Sequence, residues 1–295
     1  MAGVLAEAWA NPSSRHPLGL RARQALEEAR GRLRGAVGAP RLLFTSGATE
    51  ASFLAIRGAL EARRPGPALA LATDHASVLA TLALLGKRGQ RVVLLPVDRI
   101  GVLAPETLRA ALVPETRLVC LLHGNNETGT LQPLPEVVAA VRELAPEAHL
   151  HVDWVQGLGR APLDIEKEGV DSLALSAHKL GGPRGVGALA LSARARIAPV
   201  MPGGGQEEGL RGGTENVAGA VGFAKAVELA LGSMEEENGR LGRLRGRLLE
   251  GLRAACPEGC VHGPVEGGLP QILSYSFPGI RSEEHTSELQ SPNTI

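Results

Sequence analysis

Short apolar runs alternate with longer amphipathic ones over the first two thirds of this 295-residue chain, and that alternation limits the fold more than any other feature. Strands are predicted at 41–45, 69–73, 91–97, 118–123, 149–153, 172–176 and 188–192. Between them, helices are predicted over 18–38, 49–64, 76–86, 105–112 and 136–144. In the first of these, Leu18, Ala22, Ala25, Leu26, Ala29 and Leu33 recur at helical spacing between arginines and glutamates. Strands that follow one another through helices pair in parallel, so the expected class is α/β, a mostly parallel sheet flanked by helices. After Gly213 the pattern changes. Residues 214–255 read as one long helix or as two broken around Gly232, and strand signals return at 259–262 and 272–277, as in a second, α+β unit.

Composition excludes several classes. Apolar residues at 44% and charged residues at 21% are those of a globular protein and exclude disorder as the main state. Basic and acidic residues are equal at 31 each, so no nucleic-acid or membrane partner is expected. No basic segment leads into a long apolar run at the N-terminus, and no apolar stretch approaches the ~20 residues of a membrane span. Three irregularly spaced cysteines (Cys120, Cys256 and Cys260) fit a reducing compartment, and a cytoplasmic location is expected. Cys256 and Cys260 lack a second pair of ligands and His149 with His151 lack a third, so no metal site is expected. Only four of the basic residues are lysines. Lysine forms Schiff bases and arginine does not, so Lys87, Lys167, Lys179 and Lys225 are a short list for covalent chemistry.

Four predicted strand ends carry polar residues, where open α/β sheets bind ligands. The turn Thr45-Ser46-Gly47-Ala48-Thr49-Glu50 exposes backbone N–H groups at a helix start; it suits a phosphate, or is a plain helix cap. Asp153, with Gln156 one turn on, either caps a helix or holds a heterocyclic nitrogen protonated. Lys179 is delivered by a strand into a glycine-rich loop, either as a surface lysine or as a nucleophile for aldehydes with a pKa lowered by an apolar site. His75 follows a strand and either stacks on a planar ligand or is structural. A Schiff-base lysine, a carboxylate for a pyridinium nitrogen, a phosphate cup and a stacking ring together are what pyridoxal 5′-phosphate requires.

The residues carry a family resemblance. NPSSRH (11–16), TSGATE (45–50), DHASV (74–78), HGNNETGTLQP (123–133), HVDWVQG (151–157), SAHKLGGPRGVGAL (176–189), GGGQEEGLRGGTENV (203–217) and SFPGI (276–280) stand in the order and spacing of the class V aminotransferase group. Within that group the chain resembles the cysteine desulfurases, which have the type I pyridoxal-phosphate-dependent transferase fold. The resemblance implies a homodimer that takes L-cysteine, releases alanine and passes persulfide sulfur to an acceptor protein for iron–sulfur cluster or thio-cofactor synthesis. It implies that Lys179 holds the cofactor covalently and that Asp153 pairs with its ring nitrogen. Gln156 then bonds the ring oxygen, His75 stacks on the ring with a catalytic role, and Asn126 contacts cofactor or substrate. Gly47, Ala48, Thr49, Ser176 and His178 surround the phosphate, with Thr214 reaching the phosphate of the partner subunit. The expected organisation is a remnant of a small domain at 1–15, a cofactor-binding large domain at 16–232 and a partial α+β small domain at 233–280.

The chain also departs from the pattern. The nucleophilic cysteine of the family, on a loop after the SFPG segment, has no counterpart, and Cys120, Cys256 and Cys260 all precede that segment. A chain shortened at both ends and inactive in sulfur release is therefore expected. Trp154 is bulky where small residues are usual, and Glu208 stands where a basic or neutral residue is common. Residues 281–291 read as eleven consecutive codons of a common sequencing adapter, so a non-native tail is expected over 281–295. The competing readings are another class V enzyme (a selenocysteine lyase or a small-molecule aminotransferase) and a non-catalytic cofactor-binding fragment. A nicotinamide site is disfavoured, because Gly185-Val-Gly187-Ala-Leu-Ala190 leads into a strand instead of opening a helix.

Overall fold

The computed structural model describes residues 1–280; the predicted non-native tail at 281–295 lies outside the described residues. Seven strands form one sheet: β1 (Arg41–Thr45), β2 (Ala68–Leu71), β3 (Val92–Leu95), β4 (Leu118–Leu122), β5 (His149–Asp153), β6 (Ser172–Ser176) and β7 (Gly187–Leu191). Their spatial order is β1-β7-β6-β5-β4-β2-β3. β7 runs antiparallel to both its neighbours, and every other pair is parallel. The mostly parallel α/β sheet expected from the alternation is therefore the fold. Leu122 of β4 pairs with Asp153 of β5, and Asp153 with Ala174 of β6, so the carboxyl ends of the central strands finish close together.

Alternate residues on each strand face two apolar layers. Leu42, Phe44, Leu69, Leu71, Leu150 and Val152 pack beneath α2 (Pro17–Val37), α5 (Pro105–Ala111), α6 (Leu134–Leu144) and α7 (Val217–Gly232). Leu43, Ala68, Ala70, Leu118 and Leu189 face α3 (Ala48–Glu61) and α4 (Ala76–Gly86) on the other side. With only seven aromatic side chains, the core is built from leucine, alanine and valine. The helix predicted over 18–38 starts one residue earlier, where Pro17 follows a His16 cap whose Nδ1 accepts the Gly19 N–H, and stops at Gly38 with φ 63°. The 214–255 segment is two helices, α7 and α8 (Met234–Ala255), bent by 70° at Ser233. β8 (Cys260–His262) and β9 (Ser274–Ser276) form a separate antiparallel pair. A short helix at Ala2–Glu7 (α1), which has no buried residue, lies outside the sequence expectation. Among the described residues no single helix is long and apolar enough to cross a membrane.

Two buried polar groups tie the layers together. Glu207, in the loop before α7, accepts Arg30 of α2 at 2.5 Å and the Phe44 N–H of β1 at 3.0 Å, and its side chain is wholly buried. Arg30 also donates to the Leu42 carbonyl at 2.7 Å. The loop turns through φ 47° at Glu207 and 59° at Glu208, a left-handed conformation held by Arg30 and by the Arg41–Glu208 ion pair. The second group lies between β5, β6 and α3. The Ser172 hydroxyl bridges His149 Nε2 at 2.7 Å and His151 Nδ1 at 2.8 Å, and His151 Nε2 meets Ser52 Oγ at 3.1 Å. His149 Nε2 and both ring nitrogens of His151 are thus engaged by serine hydroxyls within the protein.

Replacing Glu207 with Ala leaves a mostly buried guanidinium with only the exposed Glu27 carboxylate to pair with. It should lower stability by about 3 kcal/mol in urea unfolding, with the Arg30→Met, Glu207→Leu double variant losing less. Burial pushes the His151 ring down to about 3, with neighbouring His149 adding to it. Folding therefore favours the neutral ring, and its contribution is present above the unfolded value and lost as pH falls. The urea midpoint should drop between pH 7 and pH 5. His151→Gln should make that dependence shallower by about one proton, ~1.4 kcal/mol per pH unit.

Candidate active site

The carboxyl ends of β2, β4, β5 and β6 open on a cleft of ≈ 490 Å³. Its walls are Ser46, Gly47, Ala48, Thr49, His75, Leu122, Asn126, Asp153, Val155, Gln156, Ser176, His178, Lys179, Arg184 and Gly185. Of the residues expected to bind cofactor or act in catalysis, all line it except Thr214. Thr214 is exposed and lines an adjoining depression shared with Ser46 and Gly185.

The first wall is the turn from β1 into α3. Gly47 caps α3, so the first N–H groups of the helix have no side-chain cap and face the cleft with its positive dipole end. Gly187 of β7 lets this turn sit close, because a Cβ there would stand 2.6 Å from the Gly47 backbone. Glu50 anchors the turn from behind, accepting the Ser46 N–H at 2.6 Å and Arg211 Nε at 2.7 Å. Burial pushes the Glu50 carboxyl up, but Arg211 and Ser46 together outweigh it and hold it below the usual carboxylate range. The Glu207 loop and the phosphate-like turn are thereby one assembly.

The second wall is set by carboxylates. Asp153 ends β5, 5% exposed, and its Oδ1 accepts only the Val155 N–H, at 3.0 Å. Burial raises its pKa, while Val155, His75 and Lys179 pull it back. A buried carboxylate at a cleft, with no ion pair to satisfy it, is a strong acceptor for a protonated ligand nitrogen. Beneath it, Asp74 accepts the Leu71 N–H at 2.9 Å and the Leu122 N–H at 2.6 Å, joining the ends of β2 and β4. Burial pushes the Asp74 carboxyl up to about 7 against those two donors, and nearby Asp153 adds to the rise. Next to it, His75 caps α4. Its Nδ1 accepts the Ser77 N–H at 3.1 Å, which leaves Nε2 as the donor in the neutral ring.

The third wall holds the lysine. β6 ends at Ser176 and continues as a single 3₁₀ turn, Ala177–Leu180, closed by Gly181 at φ 72°. This turn carries His178 and Lys179 out to the cleft. Ser176 Oγ lies 2.8 Å from His178 Nδ1, and burial with the nearby charges of Lys179 and Arg184 lowers the His178 pKa. Lys179 differs from expectation in one respect: it is exposed at the cleft wall, not enclosed by apolar side chains. The other three lysines stand apart from the cleft, and Lys167 is 82% exposed.

Sequence reasoning passed over Arg184 and Asp74. Arg184 has no partner among the described residues' ion pairs and adds a cation to a cleft whose lining has one carboxylate, Asp153. Its signal was the glycine-flanked Pro183-Arg184-Gly185 beside the lysine. Asp74 carried no local signal, because one of its two donors comes from 48 residues away. With Lys179, Arg184 and two histidines on its walls and N–H groups at one end, the cleft suits an anionic ligand with a basic ring nitrogen.

Comparisons with known proteins agree with this geometry. The family model for aminotransferase class-V matches residues 1–295. A cysteine desulfurase IscS of Dictyoglomus turgidum is 38% identical over 96% of this chain and 72% of its own length. A solved NifS-like protein is 37% identical with a TM-score of 0.91, over 95% of this chain and 78% of its own. A structure of SspA in complex with cysteine is 33% identical with a TM-score of 0.72, over 77% and 69%. On the extent of these matches, over a fold and cleft of this form, the chain belongs to the class-V aminotransferase family.

Proposed function

We propose that the cleft binds pyridoxal 5′-phosphate and that it takes L-cysteine, the substrate of the cysteine desulfurases. The observation that carries this reading is one carboxylate, Asp153, buried without an ion pair at the mouth of a cleft that also holds Lys179. Asp74, equally buried, is satisfied by two backbone N–H groups, whereas Asp153 has one. The phosphate-sized nest of uncapped N–H groups at Gly47–Thr49 fits the anionic end of the same molecule. Similarity to a cysteine-bound SspA supports cysteine as the substrate.

Bound pyridoxal phosphate supplies an electron sink that stabilises negative charge at the substrate Cα. The chain's own residues do the rest. Lys179 Nζ would hold the aldehyde end at rest and, once the substrate amine has taken its place, would be free to take or return a proton at Cα. Asp153, raised by burial, keeps a proton on the ring nitrogen. The Gly47, Ala48 and Thr49 turn, with Ser176 and His178, binds the phosphate. Gln156 would bond the ring oxygen, His75 would stack on the ring, and Asn126 would contact cofactor or substrate. Thr214 is outside its own cleft, which supports a role toward a second copy in a homodimer. Three free cysteines support a reducing, cytoplasmic setting.

Sulfur transfer needs a thiolate that can reach the substrate sulfur. Cys120 is buried in β4, where burial and nearby Asp74 push its thiol well above the ordinary value. Cys256 follows α8 and Cys260 opens β8, and neither lines the cleft. This inventory supports the second reading, a chain that binds cofactor and cysteine without passing sulfur to an acceptor protein. Wild-type protein mixed with pyridoxal phosphate should show the visible band of a lysine-bound cofactor, and Lys179→Ala should abolish it. Added L-cysteine should alter the band without release of sulfide. An unchanged band in Lys179→Ala would refute the cofactor assignment, and cysteine-dependent sulfide would refute the inactivity.

A further inference from the structure

Between the carboxylate and the glutamine that face the cleft stands Trp154, whose side chain turns the other way. It is 2% exposed and is the largest fully buried side chain in the protein. The backbone N–H of Trp154 donates to the Ala174 carbonyl of β6 at 3.1 Å, and its backbone carbonyl accepts the Leu158 N–H at 3.1 Å. The indole meets the His123 ring edge-on, centroids 4.3 Å apart at 69°. His123 follows β4, and its N–H donates to the Asp153 carbonyl at 3.2 Å. Its Nδ1 is buried without a hydrogen-bond partner, so the indole, and not a polar contact at that atom, fixes that side of the ring. On the other side the indole occupies the space of a side chain at Gly157: a Cβ there would stand 2.7 Å from Cε2 and 2.8 Å from Cζ2. Gly157 has no left-handed φ to explain it, so the requirement is steric.

We infer that Trp154, seated between His123 and Gly157, is a positioning residue that braces the Asp153–Gln156 turn against the end of β4 and so sets how Asp153 and Gln156 meet the cofactor. The inference rests on the cofactor reading above. Trp154 does not touch the cleft itself. Its effect runs through backbone: the two residues that face the cofactor lie one position before it and two after it in the chain, and its ring fills the turn that joins them. Edge-to-face aromatic contact adds a geometric preference to the area the indole buries, and so holds this geometry more firmly than burial alone. The neutral state of His123 belongs to the same packing, since burial pushes its ring down to about 4 and an imidazolium would not sit edge-on in this pocket uncompensated.

A mutant cycle on the full chain tests the brace, with three readouts: the pyridoxal phosphate dissociation constant, the midpoint pH of the bound-cofactor absorbance, and the Tm of the cofactor-free protein. Gly157→Ala in the wild-type background should weaken cofactor binding by about tenfold and move the midpoint. In a Trp154→Ala background the same change should cost less than about twofold, because the clash is gone. Trp154→Phe should keep the wild-type midpoint where Trp154→Ala shifts it. Equal losses from Gly157→Ala in both backgrounds would overturn the contact. Variants that lower Tm yet keep wild-type affinity and midpoint would make Trp154 a core filler and overturn the positioning role. If wild-type protein takes up no cofactor, the reading beneath this one falls with it, which is a different result from variants that match a cofactor-binding wild type.

Discussion

Strands β4, β5 and β6 run parallel and in register, and the cleft exists because they end together. Parallel pairing forces each chain crossing to return to the opposite edge, through a helix after β2, β3 and β4 and through a helix-free connection after β5, so the carboxyl ends of these strands emerge at the same edge. Leu122 beside Asp153, and Asp153 beside Ala174, place the loops after β4 and β5 and the turn after β6 within reach of one ligand. The antiparallel strand β7 then brings Gly187 against the β1–α3 turn and sets the phosphate-like nest opposite them. Were the register shifted by a residue, the side chains now in the cleft would point into an apolar layer.

Holding that edge together is a set of buried polar contacts behind the cleft wall. Asp74 links β2 to β4 through two backbone N–H groups, Glu50 links the first turn of α3 to Arg211, and Glu207 links the same loop to α2 and β1. These charges sit behind the ligand positions and are satisfied by the protein. Asp153 is the exception, with a single backbone donor. The contrast between satisfied and unsatisfied carboxylates separates scaffold from site in this fold.

Much of this was legible in the sequence. His149–Asp153 and Ser172–Ser176 are strands at their predicted bounds, because polar residues mark both ends of each apolar run. The strand predicted at 69–73 stops at Leu71, since Asp74 folds back to take the Leu71 N–H and turns the chain away after Ala72, whose N–H still donates to the Leu95 carbonyl. The edge strand predicted at 91–97 shortens to Val92–Leu95, with Leu94 half exposed. The residues that gather in the cleft could be found because each follows a strand end directly. Asp74, Arg184 and the Trp154–Gly157 contact could not, because they depend on partners that only the folded chain brings near.

The central claim is that Lys179 and Asp153 face one bound pyridoxal phosphate. Borohydride reduction of the cofactor-loaded protein, followed by digestion and mass spectrometry, tests it most directly. The account predicts a phosphopyridoxyl label on the peptide carrying Lys179 and on no other lysine, with the label diminished in Asp153→Ala. Label spread over Lys87, Lys167 and Lys225, or absent from Lys179, would contradict it.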